Sequence, residues 1–109
     1  MVNETEGAIL LSIHQNIYAD SRYAGAQVFF APTEGSEDLA KALMRSLQTK
    51  RECKLGRSIY LLQHIKRPGV LIECGFLSNP EEEQLLRNPQ YQKKLCCQII
   101  SGISDYLQA

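Results

Sequence analysis

Nothing in this sequence of 109 residues marks it for nucleic acid or for crossing a membrane. Twelve basic side chains are balanced by twelve acidic ones, whereas a nucleic-acid surface needs a basic excess or a dense Lys/Arg patch. The densest basic stretches, Lys50-Arg51 and Lys93-Lys94, are short and read as solvated helix surface. No apolar run approaches the roughly 20 residues that span a bilayer. The longest, residues 8–13, has the length of a buried strand. The start, Met1-Val2-Asn3-Glu4-Thr5-Glu6, has neither the positive region nor the apolar region of a signal peptide, and on its own face the sequence reads as cytosolic. Four cysteines (Cys53, Cys74, Cys96, Cys97) show no C-x-x-C spacing and no paired metal motif. They are expected to act mostly as small buried apolar residues, Cys96 and Cys97 pointing about 100° apart on one helix.

What remains is an ordinary globular composition, 44% apolar and 22% charged, in one domain at most. Gly7-Ala8-Ile9-Leu10-Leu11-Ser12-Ile13 is apolar at nearly every position, which predicts a central strand buried on both faces. It stops at the polar His14-Gln15-Asn16, and residues 17–24 form a polar loop. A second strand is expected over residues 25–31, closed by Pro32 and a turn. Ser36 is placed to cap a helix with Glu37 and Asp38 in its first turn, and Leu39, Leu43 and Leu47 give that helix an apolar stripe of about 13 residues. A connection over residues 53–57 leads to a third strand at 58–62, and a fourth is expected at 69–73.

Two Asn-Pro pairs follow, each reading as N-cap and first helical residue. Asn79-Pro80-Glu81-Glu82 sets an acid where a capping box needs one. Asn88-Pro89 opens a longer helix with Tyr91, Leu95, Ile99, Ile103 and Tyr106 on one face. The alternation predicts an α/β fold, a mostly parallel sheet with helices packed on its faces.

The chemistry-bearing pattern is an imidazole or acid set where a buried strand stops. Ligands of open α/β sheets bind beyond the carboxyl ends of the strands, and His14 and Glu73 occupy two such ends. A carboxylate directly after Val-Leu-Ile is costly to bury unless paired. From the residues alone, a hydrogen-bonded structural role and a functional one both stay open.

Longer motifs extend the pattern. Leu11-Ser12-Ile13-His14-Gln15-Asn16 resembles the Ser-Ile-His-x-Asn motif of the zinc-dependent N-acetylmuramoyl-L-alanine amidases (amidase type 3). Gly25-Ala26-Gln27-Val28-Phe29-Phe30 is similar to their next strand. Pro68-Gly69-Val70-Leu71-Ile72-Glu73-Cys74-Gly75-Phe76-Leu77-Ser78-Asn79-Pro80 is similar to their Val-Glu-x-Gly-Phe and Leu-Ser-Asn stretch. The ending from Asn88 to Tyr106 is typical as well, so the resemblance runs over nearly the whole chain in order. Within the family it resembles the spore-cortex, germination-specific amidases most.

The resemblance implies a phosphorylase/hydrolase-like fold and hydrolysis of the amide between N-acetylmuramic acid and L-alanine of peptidoglycan. It implies one Zn2+ held by two His and a Glu, with His14 as the last ligand, and Glu73 as the carboxylate that activates the attacking water. Asn16, Gly75 and Phe76 are candidate substrate-binding residues, and the Gly75-Phe76-Leu77 turn is expected to orient Glu73, Gly75 permitting a backbone conformation denied to other residues. His64, in a polar connection, matches no ligand and reads as surface.

The family's Asp-Pro-Gly-His segment and its second ligand, a Glu, have no counterpart here. Residues 1–109 thus read as the C-terminal portion of one catalytic domain, with N-terminal strands missing. One imidazole does not hold zinc, because three or four protein ligands are the norm, and little activity is expected of this chain alone. An incomplete sheet would leave an open edge and an uncovered apolar face, which predicts self-association. The alternative is a non-catalytic remnant that binds cell-wall fragments or a protein partner. The family's compartment places the parent protein outside the cytoplasmic membrane or in the cell envelope.

Overall fold

The computed structural model describes residues 2–17 and 19–108; Tyr18, inside the expected polar loop, lies outside them. After a short 3-10 turn at Val2–Glu4 come β1 (Leu10–Asn16), β2 (Gln27–Phe30), α1 (Ser36–Leu47), β3 (Lys54–Leu55), α2 (Tyr60–His64), β4 (Gly69–Phe76), α3 (Pro80–Arg87) and α4 (Pro89–Gln108). Among the described residues the strands form one sheet in the order β1-β4-β2-β3. β1 runs parallel to β4 and β2 parallel to β3, but β2 and β4 are antiparallel. The fold is the expected α/β class, with one antiparallel pairing in its middle.

The continuous apolar run at 69–72 does what such a run implies. β4 is buried along nearly its whole length and occupies the interior of the sheet. Alternation sends Val70 and Ile72 to one face, where they meet Val28, Leu39, Leu43, Leu95 and Ile99 under α1 and α4. Leu71 faces the other way, into a smaller cluster with Ala31, Leu62 and Ile65, partly covered by Val2, Leu10, Phe29 and Ile59. Full burial of each large aliphatic side chain contributes about 1.5–3 kcal/mol, so the α1–α4 side carries most of the stability. The stripe Leu39, Leu43 and Leu47 is buried as its spacing demands. The two helices meet closely at Gly102, where a Cβ would lie 2.6 Å from Ser46 Oγ and 3.1 Å from Leu43 Cα.

Six expectations need correcting. β1 is an edge strand instead of a central one, bonded to β4 alone among the described residues, and Ile13 is 53% exposed. β1 also continues through His14 to Asn16. The expected third strand is the helix α2, because Ile59, Leu62 and Ile65 are the inward residues and recur every third position, while Tyr60 and Leu61 face solvent. The strand pairing parallel to β2 is instead β3, in the stretch expected to be a connection. Ser36 does not cap α1. Gly35 precedes the helix with φ 88°, and the buried Ser36 Oγ accepts from Gly69 N at 2.9 Å, tying α1 to the start of β4. Cys74 is buried, but Cys96 and Cys97 are exposed.

The two Asn-Pro starts form as expected. Asn79 Oδ1 accepts from Glu82 N at 3.1 Å, and Asn88 Oδ1 accepts from Gln90 N at 2.8 Å and Tyr91 N at 3.2 Å.

Candidate active site

The parallel register of β1 and β4 sets His14 directly opposite Glu73. Side chains two apart share a face, so Ser12, His14, Leu71 and Glu73 lie on the face away from α1 and α4. Beyond this pair the register shifts. Asn16 is opposite Phe76, so β4 carries one residue more than β1 over this step. Such bulges re-aim side chains beside functional sites. Here Asn16 Nδ2 donates to Glu73 Oε2 at 2.6 Å, while Asn16 Oδ1 accepts from Ile17 N at 2.8 Å. Both ends of the Asn16 amide are engaged. Its role in the geometry is to hold Glu73.

The carboxyl of Glu73 is pushed above its ordinary pKa by burial, partly offset by the Asn16 hydrogen bond and by His14. A half-buried acid with one oxygen fixed is suited to exchanging a proton through the other. His14 is exposed, and its Nε2 shares a hydrogen bond of 2.8 Å with Ser12 Oγ.

Gly75 lacks the special backbone conformation expected of it, and Phe76 is buried. Gly75 has no left-handed φ. It is glycine for space, since a Cβ would sit 2.8 Å from Glu82 Oε1 and 3.3 Å from Leu86 Cδ1. Phe76 is buried, its ring 5.9 Å from that of Tyr23, with the Arg51 guanidinium 5.3 Å from the Phe76 centroid. Arg51 also donates to Ala24 O at 2.9 Å. Phe76 therefore anchors the loop before β2 and offers little surface to a substrate. His64 is exposed on α2, stacked on Tyr60 with ring centroids 3.9 Å apart.

Two residues beside the site carried no signal that singled them out. Glu82 Oε1 accepts from Gly25 N at 2.9 Å and from Phe76 N at 3.0 Å. It was legible as a capping-box acid, but its carboxylate latches the loop before β2 to the end of β4. Gln27, opposite Glu73 on the antiparallel side, is buried and donates to Glu52 O at 2.9 Å. Its Oε1 has no hydrogen-bond partner among the described residues.

For the implied zinc the donor set is too small. Among the described residues there is no group of three or more His, Cys, Asp or Glu side chains that could hold a metal ion. His14 contributes one imidazole, and zinc needs three or four ligands. The chain by itself does not fit the ion.

A family profile described as N-acetylmuramoyl-L-alanine amidase matches residues 1–105. The chain is 40% identical over 112 aligned positions to the germination-specific N-acetylmuramoyl-L-alanine amidase of Bacillus subtilis strain 168, covering 97% of this chain and 47% of that protein. It is 26% identical to the probable cell wall amidase LytH of Staphylococcus aureus, covering 97% of this chain and 38% of that one. Among solved structures, the CwlD amidase of Clostridioides difficile, in complex with the GerS lipoprotein, superimposes with a TM-score of 0.92 at 38% identity. That match covers 98% of this chain and 58% of the other. The chain thus spans about half the length of these relatives.

Proposed function

Because the chain belongs to the N-acetylmuramoyl-L-alanine amidase family, we propose that it carries the acid–base half of a peptidoglycan amidase site. The bond attacked is the amide joining the lactyl group of N-acetylmuramic acid to L-alanine. The observation that carries the reading is His14 facing Glu73 across two parallel strands, with Asn16 fixing Glu73 Oε2. Glu73 takes the proton of the attacking water and delivers a proton to the departing amine of L-alanine. Its raised pKa favours that exchange, because a general base works best when its pKa approaches the working pH.

His14 is one ligand of the zinc this family implies. With a single imidazole, this chain alone binds zinc weakly and hydrolyses little. The parent protein acts outside the cytoplasmic membrane or in the cell envelope, on peptidoglycan.

The test is to load the chain with zinc, dialyse it, measure bound metal, and label the L-alanine amino groups freed from purified peptidoglycan. The expected result is far less than one zinc per chain and a trace of release that disappears in Glu73→Gln. One tightly held zinc per chain with rapid release sinks the claim of weak activity. Release that survives Glu73→Gln removes Glu73 from the chemistry.

The single metal donor favours a second reading, a non-catalytic chain that holds cell-wall fragments or a protein partner. In that case muramyl peptides bind equally to the native chain and to Glu73→Ala, and no L-alanine is freed.

A further inference from the structure

The two densest basic stretches, Lys50-Arg51 and Lys93-Lys94, lie far apart in the sequence, yet the fold brings them to one hollow. Lys50, Arg51 and Lys94 line a cavity of about 430 Å³ between the end of α1, the loop before β2 and α4. Its apolar floor is formed by the buried Ala26, Leu47, Cys74 and Leu95, and Gln48, Thr49, Tyr91 and Gln98 add amide and hydroxyl groups. No Asp or Glu lines it, and no residue of β1. Among the described residues neither Lys50 nor Lys94 meets a carboxylate. Arg51 donates through Nε and Nη2 to Ala24 O, at 3.3 and 2.9 Å, which leaves its Nη1 protons unclaimed among the described residues. The Tyr23 and Phe76 rings, with centroids 5.7 and 5.3 Å from the guanidinium carbon, hold that group in place.

The chain has no formal net charge, so three cations around a hollow without an acid are a local excess. Like charges gathered there repel one another until an anion joins them. The negative end of α1 accounts for Lys50 and Arg51, which follow it directly. It does not account for Lys94, which stands in the second turn of α4, towards that helix's positive end. The volume falls within the range of about 300–1,000 Å³ common for small-ligand sites, and an apolar floor with a few polar groups above it is their usual construction.

We propose that this cavity is an accessory site for a short acidic peptide, its carboxylates held by Lys50, Arg51 and Lys94. The cations come from two segments, α4 and the connection after α1, which suits carboxylates spaced along a chain better than one compact phosphate. The Gln48 and Gln98 amides can each donate and accept, as peptide groups require, and the floor takes small aliphatic side chains. The source of the peptide rests on the peptidoglycan reading above, since the peptide arms of that polymer end in free carboxylates. Cys74 follows Glu73 on β4 and points to the opposite face. The cavity therefore lies on the helix-covered face, and the pair His14 and Glu73 on the other. The peptide held in the cavity is a neighbour of the one whose bond is cut. Two points of attachment to one polymer raise the local concentration of that bond at Glu73.

Titrating the chain with the free-acid tripeptide Ala-Glu-Glu, followed by amide NMR shifts, tests it. The expected result is saturable, salt-sensitive binding with shifts centred on residues 48–51 and 91–98. The uncharged counterpart Ala-Gln-Gln-amide binds about tenfold more weakly or not at all. Lys50→Gln combined with Lys94→Gln lowers the affinity for Ala-Glu-Glu by about tenfold. Both lysines are exposed, so this variant keeps its fold, which an unchanged urea transition verifies. Lys93→Gln, exposed one position away, changes the affinity by less than about twofold. The proposal is overturned by absence of binding, by equal binding of the uncharged peptide, or by a double-lysine variant that binds like the native chain. A glycerol phosphate oligomer that shifts the same residues at lower concentration overturns it too, since the occupant is then a phosphate polymer. Glu73→Gln binds the tripeptide as the native chain does. Loss of L-alanine release in that variant therefore leaves this site standing, and failure of the tripeptide to bind leaves the role of Glu73 untouched.

Discussion

Replacing Gly75 by alanine tests the latch at the carboxyl end of β4. An added Cβ would stand 2.8 Å from Glu82 Oε1, 3.3 Å from Glu82 Cδ and 3.3 Å from Leu86 Cδ1. The first contact is too short to keep, and relief comes from swinging the Glu82 carboxylate away. That movement breaks the bonds from Gly25 N at 2.9 Å and Phe76 N at 3.0 Å. Hydrogen bonds to a charged group contribute about 1.5–3 kcal/mol each, and water recovers part of this where the group is only half buried. The expected cost of Gly75→Ala is therefore about 2–3 kcal/mol, which urea denaturation followed by circular dichroism resolves easily.

The sharper test is a double-mutant cycle. Glu82→Ala alone loses the same two bonds and costs a similar amount. With Glu82 already truncated, the Gly75 methyl group meets only Leu86, so the double variant costs little more than either single one. Glu82→Gln keeps an acceptor oxygen but loses the charge, and falls between native and Glu82→Ala. A Gly75→Ala cost below about 0.5 kcal/mol, or single costs that simply add, refutes the latch.

Three other outcomes follow from the packing and the titrating groups. Gly102→Ala gains about 1 kcal/mol of helix propensity but overpacks against the Leu43 backbone for about 1–3 kcal/mol; a net loss in urea denaturation is expected, and a stabilised variant contradicts the close approach of α1 and α4. Because burial raises the Glu73 pKa, the stability this group contributes is full below its unfolded pKa and is lost as pH rises through the folded value. With a chelator present, Glu73→Gln should then equal or exceed the native chain in stability at neutral pH and lose that advantage in acid, whereas a native chain more stable than Glu73→Gln at neutral pH contradicts the sign. A thiol reagent should modify Cys96 and Cys97 first, Cys53 more slowly because burial and Glu37 push its thiol up, and Cys74 only on unfolding; rapid loss of all four thiols in the folded chain counts against this packing.

The parts of the fold that local chemistry controls were legible in the sequence, and the parts set by contacts distant in sequence were not. β4 showed itself as an unbroken apolar run and α1 as a stripe of leucines, because burial on two faces and on one face leave different periods. α2 was hidden, since the inward series Ile59, Leu62, Ile65 passes through a run in which Tyr60 and Leu61 are also apolar. Ser36 and Glu82 both obey capping rules on paper. In each case a partner distant in sequence competes more strongly, Gly69 N for the hydroxyl, and Gly25 N together with Phe76 N for the carboxylate.

The site follows the same division. His14 and Glu73 stood out as polar residues ending apolar runs, but no periodicity could foretell the register step that sets Asn16 opposite Phe76. That step is what brings the Asn16 amide to 2.6 Å from Glu73 Oε2. Asn16 then belongs with the residues that aim the carboxylate, and Phe76 with those that anchor the neighbouring loop.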